Sequence, residues 1–278
     1  MSRRFVRFAG EDGRPHAGVW EDGRVLELPA DDVLALLEAE ELPEPVREHD
    51  LDALRLLLPI EPPEVWCAGV TYERSRVARM EESESRDVYA LVYDADRPEL
   101  FLKDAGCRRT VGPGERLGVR ADSAWNVPEP ELGLVLGERG RLLAATIGND
   151  VSSRDIEGAN PLYIPQAKVF AGACAVGPAV LVPDDWAEPF EIELRILDGD
   201  GETLYADTTS TGRMRRSFQE LADYAARDNP IPPGSVLLTG TGLVPPDEFN
   251  LAPGHTVEIQ IPRIGTLVNP VAAAGDLL

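Results

Sequence analysis

Between residues 128 and 150 the apolar and polar positions alternate with the period of a β-strand. Leu132, Leu134 and Leu136 share one face of the stretch, and Glu129, Glu131 and Gly133 share the other. LLAATIG (142–148) reads as a returning strand, and Glu138-Arg139-Gly140 supplies a turn between the two. Apolar segments bounded by glycine, proline and acidic turn residues predict further strands at RFVRF, RVLEL, EVWCAGV, ELFLK, AVLVP, EIELRIL, SVLLTG, HTVEIQI and GTLVNP. Helical patterns are scarce. DDVLALLEAEEL (31–42) predicts a helix with an aspartate N-cap, and SFQELADYAAR one capped by Ser217 with Glu220 at the capping-box position. Residues 73–92 are dense in charge, carry Met80, Val88 and Leu91, and lack proline and glycine, which predicts one or two mobile helices. Many strands and few helices predict an α+β, β-rich chain with a sandwich-like or rolled sheet. Strands and helices do not alternate, which argues against a doubly wound parallel fold.

The pattern also divides the chain. Residues 1–60 read as a small N-terminal domain of short strands around the turns Glu11-Asp12-Gly13 and Glu21-Asp22-Gly23. Pro59, Pro62 and Pro63 mark a boundary, and 61–278 form the larger domain. With 43% hydrophobic residues the chain can build a sizeable core. No apolar run approaches the roughly 20 residues of a membrane span, and the N-terminus lacks the apolar stretch of a signal peptide, so the cytoplasm is the expected location. A net charge of -22 argues against nucleic-acid partners and anionic membranes.

Three cysteines, Cys67, Cys107 and Cys174, form no CxxC pair, which disfavours a disulfide framework or a thiolate zinc site; all three are expected to be small buried apolar residues. Lysine occurs only twice, at Lys103 and Lys168.

The candidate chemistry lies in the alternating segment. Glu129 and Glu131, two residues apart on one strand face, lie roughly 7 Å apart. A hairpin closing at Glu138-Arg139-Gly140 brings Asp150 back beside Glu129, so that three carboxylates converge at its open end. Like charges so close raise one another's pKa and cost stability unless a cation is present. Three oxygen donors without nearby cysteine or histidine favour Mg2+, with Mn2+ or Ca2+ as the other hard cations, over zinc. The same spacing also fits exposed acids on an already acidic chain.

In order and spacing, NVPEPELGLVLG, IGNDVSSRDIEG, PQAKVFAGACAVGP, LLTGTG and IPRIGTLVNPV resemble the fumarylacetoacetate hydrolase family across most of residues 64–272. The resemblance implies a mixed β-sandwich roll with a small N-terminal domain. It implies Glu129, Glu131 and Asp150 as metal ligands, Lys168 as an active-site lysine, and Thr241 as a contact to the substrate carboxylate or oxo group. It also implies a homodimer or homotetramer. GVTYERSRVARMEES, VYDADRPELFLK and ADSAWNVPEPELGLVLG resemble, more narrowly, the branch that dehydrates 2-keto-3-deoxy pentonates, in which a glutamate corresponding to Glu99 faces the metal with the lysine.

This resemblance implies dehydration of a small 2-oxo acid, a 2-keto-3-deoxy pentonate of arabinonate or xylonate type, to 2,5-dioxopentanoate. The metal would stabilise an enolate, and Lys168 and Glu99 would share the acid and base roles. Alternatives stay open at this point. Lys168 also suits a structural ion pair, Glu99 a solvated strand entry, and Lys103 a structural role. Glu73, Arg74 and Arg76 are candidates to meet substrate hydroxyls if 73–92 closes over the site, and a solvated charged helix fits them equally. The rival functions are an acylpyruvate-type C–C hydrolase, a decarboxylase or isomerase of the same family, and a non-catalytic metal-dependent binder of 2-oxo acids. The hydrolases use a histidine ahead of the metal strands. His16, His49 and His255 all lie outside residues 64–150, which argues against that route.

Overall fold

In the computed structural model, which describes residues 2–82 and 91–278, the alternating segments become strands of two packed sheets. The chain opens with β1 (Arg3–Ala9), β2 (Pro15–Glu21) and β3 (Arg24–Leu28), then helix α1 (Val33–Glu38) and β4 (Arg47–Asp50). Asp22 and Gly23, both at positive φ (44° and 78°), make the tight β2–β3 turn. Asp32 caps α1 by accepting the Leu34 N–H. The helix stops at Glu38, short of the expected 31–42, and Glu40 and Glu41 lie beyond it. Their negative charge opposes the negative end of a helix dipole.

The middle of the chain supplies β5 (Glu64–Gly69), α2 (Glu73–Glu82), β6 (Glu99–Ala105), β7 (Thr110–Val111), β8 (Leu117–Val119) and β9 (Asn126–Val127). The expected 73–92 helical segment is thus observed as α2 and, at 91–94, a further helical turn; 83–90 lie outside the described residues. Next come β10 (Pro130–Leu136), β11 (Leu142–Asp150), β12 (Ser152–Ser153), α3 (Arg154–Ala159) and α4 (Ile164–Lys168). The chain closes with β13 (Cys174–Val182), β14 (Glu191–Leu197), β15 (Thr203–Ser210), α5 (Phe218–Ala226), β16 (Val236–Leu238), β17 (Thr256–Ile261) and β18 (Gly265–Ala273). Ser217 caps α5 by accepting the Glu220 N–H, as its sequence pattern predicts.

Strands β4-β3-β2-β1-β13-β11-β10-β16-β5-β6 run side by side in one sheet of eleven strands, with β7 pairing β13; β15-β14-β17-β18-β8 form a second sheet. The N-terminal strands extend the large sheet because β1 pairs antiparallel with β13, Arg3 opposite Val182. Leu132, Leu134 and Leu136 of β10 bury against Ile192 and Leu194 of β14 and Val257 and Ile259 of β17, which makes the two sheets a sandwich. The other face of β10 is buried too: Val135 packs with Val236 and Leu238 of β16 and Val65 of β5. This is the mixed α+β sandwich that the pattern predicted. Strands β2, β4 and β15 and the short strands β7, β8, β9 and β12 were not expected; in the short four, two or three residues leave too little alternation to read. Among the described residues no helix is long and apolar enough to cross a membrane.

Candidate active site

The hairpin of β10 and β11 closes as its sequence predicts. Its turn at Glu138–Gly140 uses positive φ at Arg139 (56°) and Gly140 (76°). The register runs from Val135 opposite Ala144 to Pro130 opposite Asn149. At the open end the Asp150 N–H donates to the Glu129 carbonyl at 2.9 Å. Glu129, Glu131 and Asp150 are all buried, and one oxygen from each lies within 4.8 Å of the others. A cation with oxygen ligands at about 2.1–2.5 Å spans such a triangle.

Burial, and then the charges of Asp150 and Glu129, hold the Glu131 carboxyl well above the usual carboxylate range; Lys168 and the Gly240 N–H pull the other way. Glu131 Oε2 accepts that Gly240 N–H at 2.5 Å. Residue 240 is held at φ +91°, and a Cβ there would lie 2.1 Å from Thr71 Oγ1, so only glycine can present its N–H in this way. Three buried carboxylates whose hard oxygens face one another fit a divalent cation of the magnesium kind.

Cations from three other elements surround the cluster. Lys168, at the end of α4, donates from Nζ to Glu129 Oε2 (2.5 Å), Asp150 Oδ2 (2.9 Å) and Ser152 Oγ (2.6 Å). Lys103, on β6 and fully buried, donates to the Val151 carbonyl at 2.8 Å and brings Nζ within 2.5 Å of Asp150 Oδ1. Arg154, in the first turn of α3, donates from Nη2 to Glu129 Oε1 at 2.9 Å. The sequence reading named Lys103 only as a structural residue and did not name Arg154. Arginine at an exposed helix start is common, and nothing local marks this one as buried.

The pocket in front of the carboxylates is bounded by Ala68, Gly69, Val70 and Phe101, and by the side chains of Ser75, Glu99, Glu157, Lys168 and Thr241. Glu99 lies across Gly69, where a Cβ would come 2.1 Å from Glu99 Oε2. Val70 holds a positive φ of 52°, costly for a β-branched residue, where the wall turns into α2. The Tyr72 hydroxyl is buried with no hydrogen-bond partner among the described residues, and burial and then Glu131 push its pKa up.

Two candidates lie elsewhere. The Glu73 side chain is 56% exposed and pairs with Arg76, and the exposed Arg74 donates to the Val244 carbonyl at 3.2 Å; neither lines the pocket. Successive residues of a helix turn by about 100°. Ser75, one position on, is therefore the residue of this turn that faces in. Of the cysteines, Cys67 and Cys174 are buried as expected, whereas Cys107 is only partly so, at φ 52° in the turn after β6. Burial raises all three thiols, to about 12 for Cys107 and Cys174, and none forms a disulfide among the described residues.

A large mixed sandwich carrying a buried carboxylate triad with an attendant lysine defines a class of enzymes that handle 2-oxo acids with a divalent metal. The chain matches the family described as Fumarylacetoacetate (FAA) hydrolase C-terminal over residues 64–272, and it belongs to that family. Within it, the chain is 53% identical over 215 residues to a probable 2-keto-3-deoxyxylonate dehydratase of Haloferax volcanii, covering 77% of this chain and 74% of that one. It is 42% identical over 231 residues to the 2-dehydro-3-deoxy-D-arabinonate dehydratase of Saccharolobus solfataricus, covering 81% and 77%. The structure superposes, with a TM-score of 0.85, on a 2-keto-3-deoxy-D-arabinonate dehydratase complexed with magnesium and 2,5-dioxopentanoate. Identity there is 36%, covering 97% of this chain and 99% of that one.

Proposed function

We propose that this protein is a magnesium-dependent lyase that dehydrates a 2-keto-3-deoxy pentonate to 2,5-dioxopentanoate. The observation that carries the reading is the buried triad of Glu129, Glu131 and Asp150 with Lys168 set against two of its members. The dehydratase relatives and the magnesium–product complex with the same fold support it. In this reading the three carboxylates hold the metal, which when bound supplies Lewis-acid polarisation of the 2-oxo group.

Lys168 and Glu99 move the protons of water loss. Lys168 points its three N–H bonds at three acceptors, and Ser152 Oγ is free to accept because it donates its own proton to the Asp150 carbonyl. In this reading Lys168 gives a proton to the C4 hydroxyl as it leaves. In this reading Glu99, which lines the same pocket, takes the C3 proton. Thr241 borders the pocket beside Gly240 and receives the carboxylate end of the substrate. Assembly into a homodimer or homotetramer belongs to the same proposal. The exposed Leu102 on edge strand β6, opposite the half-buried Trp66 of β5, supports it.

Incubating the protein and Mg2+ with 2-keto-3-deoxy-xylonate and 2-keto-3-deoxy-arabinonate tests the function, with 2,5-dioxopentanoate detected through a coupled aldehyde dehydrogenase. Product from at least one is expected. No product from either, with clear cleavage of an acylpyruvate, would replace the reading with a hydrolase. Lys168→Ala is expected to lower kcat by about 10²–10⁴-fold; a full rate would remove the acid role.

A further inference from the structure

A carboxylate that grips a cation does so best when its direction is fixed beforehand, because ordering it on binding costs side-chain freedom. The members of the triad are held by different means. Lys168 donates to both Glu129 and Asp150, Arg154 adds a bond to Glu129, and Lys103 stands against Asp150. Glu131 is held by a backbone group instead: its Oε2 accepts the Gly240 N–H at 2.5 Å. A backbone amide orients a ligand only as well as the amide is itself held.

That amide belongs to the trans peptide between Thr239 and Gly240, and the carbonyl at its other end accepts from Thr71 Oγ1 at 2.6 Å. In a trans peptide the C=O and N–H point in opposite directions within one plane. A chain therefore runs from the Thr71 hydroxyl into the Thr239 carbonyl and from the Gly240 N–H out to Glu131. Hydrogen bonds linked in this way polarise one another, so donation to the carbonyl strengthens the N–H as a donor. Both ends are anchored. Thr239 donates from its N–H and its Oγ1 to the Leu132 carbonyl of β10, at 3.0 and 2.9 Å. The Thr71 carbonyl accepts the Arg215 N–H at 2.9 Å. Thr71 itself is buried and stands outside the pocket lining.

Resting on the magnesium-dependent reading of the site, we propose that Thr71 is a positioning residue for the metal ligand Glu131, acting through the Thr239–Gly240 peptide. The hydroxyl fixes the peptide plane, the plane fixes the direction of the Gly240 N–H, and that N–H fixes Oε2. Gly240 is part of the same device, because the space a side chain would fill there is where Thr71 Oγ1 comes up to the peptide. A threonine that merely filled space would behave differently. Valine copies its branched outline without the donor, whereas serine keeps the donor and loses the methyl group. Packing therefore ranks valine above serine as a replacement, and positioning through the hydroxyl ranks serine above valine.

The test measures Mg2+ binding by calorimetry for wild type, Thr71→Ser, Thr71→Cys and Thr71→Val. Groups that orient metal ligands are worth about 10–100-fold in metal affinity, so Thr71→Val is expected to weaken Mg2+ binding by about 10-fold or more and Thr71→Ser to stay within about threefold of wild type. Thr71→Cys, whose thiol is a weak donor, should fall between them. Wild-type affinity in Thr71→Val, or a ranking by size with serine weakest, would overturn the role. Should the valine variant not fold, serine and cysteine carry the comparison, and equal affinities for those two would overturn it. A second readout needs no metal. With 13C-carbonyl threonine and 15N glycine, the labelled pairs are Thr211–Gly212, Thr239–Gly240 and Thr241–Gly242. The Gly240 amide proton should move upfield in Thr71→Val as its hydrogen bond weakens; an unmoved resonance would overturn the relay. A wild type that binds no Mg2+ and turns over neither pentonate removes the magnesium-dependent reading and this role with it. A wild type that binds Mg2+, with variants that do not follow donor strength, removes only the role of Thr71.

Discussion

Two buried glutamates of one sheet, on strands that four others separate, meet opposite fates. Glu27, on β3, gives one oxygen to each of two histidines: Oε1 lies 2.8 Å from His16 Nδ1, and Oε2 lies 2.6 Å from His49 Nε2. His16 Nε2 reaches Asp12 Oδ1 at 3.1 Å, and Phe8 packs against both imidazoles. Burial works to raise the Glu27 carboxyl, but the hydrogen bonds to His49 and His16 outweigh it and leave it below the usual range. Glu131, on β10, faces two more carboxylates, and its carboxyl is driven well above that range. One cluster balances its carboxylate with imidazoles of its own chain. The other is built around like charges and becomes favourable when a cation joins it.

Breaking each glutamate should separate the two roles. The largest effect is expected at Glu131→Gln: loss of magnesium binding by calorimetry and a fall in turnover of about 10³-fold or more, from the several kcal/mol that a Lewis-acid metal supplies. Because one of three mutually repelling acids is removed, the metal-free variant should melt at a higher temperature than metal-free wild type. A lower melting temperature would mean that the Gly240 hydrogen bond outweighs the repulsion. At Glu27→Gln the order reverses. Stability should fall by about 1–3 kcal/mol in urea denaturation, as partners are left without their charged acceptor, while kcat and magnesium affinity stay as in wild type. A change in kcat would show that the N-terminal strands reach the site.

The smallest effect is a pH trend. Hydrogen bonds to Asp12 and then Glu27 hold His16 above its ordinary value against partial desolvation. Its contribution to stability is therefore complete below about pH 6.5 and fades as pH rises through the raised folded-state value. Glu27, held low, contributes fully above the ordinary carboxylate range and loses that contribution as pH falls through its lowered value. The stability gap between wild type and His16→Gln should accordingly be widest between about pH 5 and 6.5 and narrow toward pH 9. A gap that does not change over that range would assign His16 a packing role against Phe8 alone.

How far the site could be read in advance follows from the distance over which each contact is made. Glu129, Glu131 and Asp150 lie on one hairpin, where a period of two and a local turn suffice to bring them together. The fate of Glu73, Arg74 and Ser75 depends on where α2 begins and how it rotates; a charge-rich segment with little apolar patterning carries no signal for that rotation. Lys103, Arg154 and Gly240 come from β6, α3 and the loop after β16, and they meet the triad only because non-local strand pairing aligns them.

The amino-acid order by itself determined the hairpin, the pair of glutamates on one face, the hard-donor set and the β-rich architecture, because side-chain alternation and turn chemistry act between near neighbours. Only the tertiary structure decided that these acids are buried rather than solvated, which cations stand beside them, and that Glu157 shares their pocket. Burial and charge compensation depend on what the rest of the chain packs against a residue, and that is settled when β5, β6, α3 and β16 close around the hairpin.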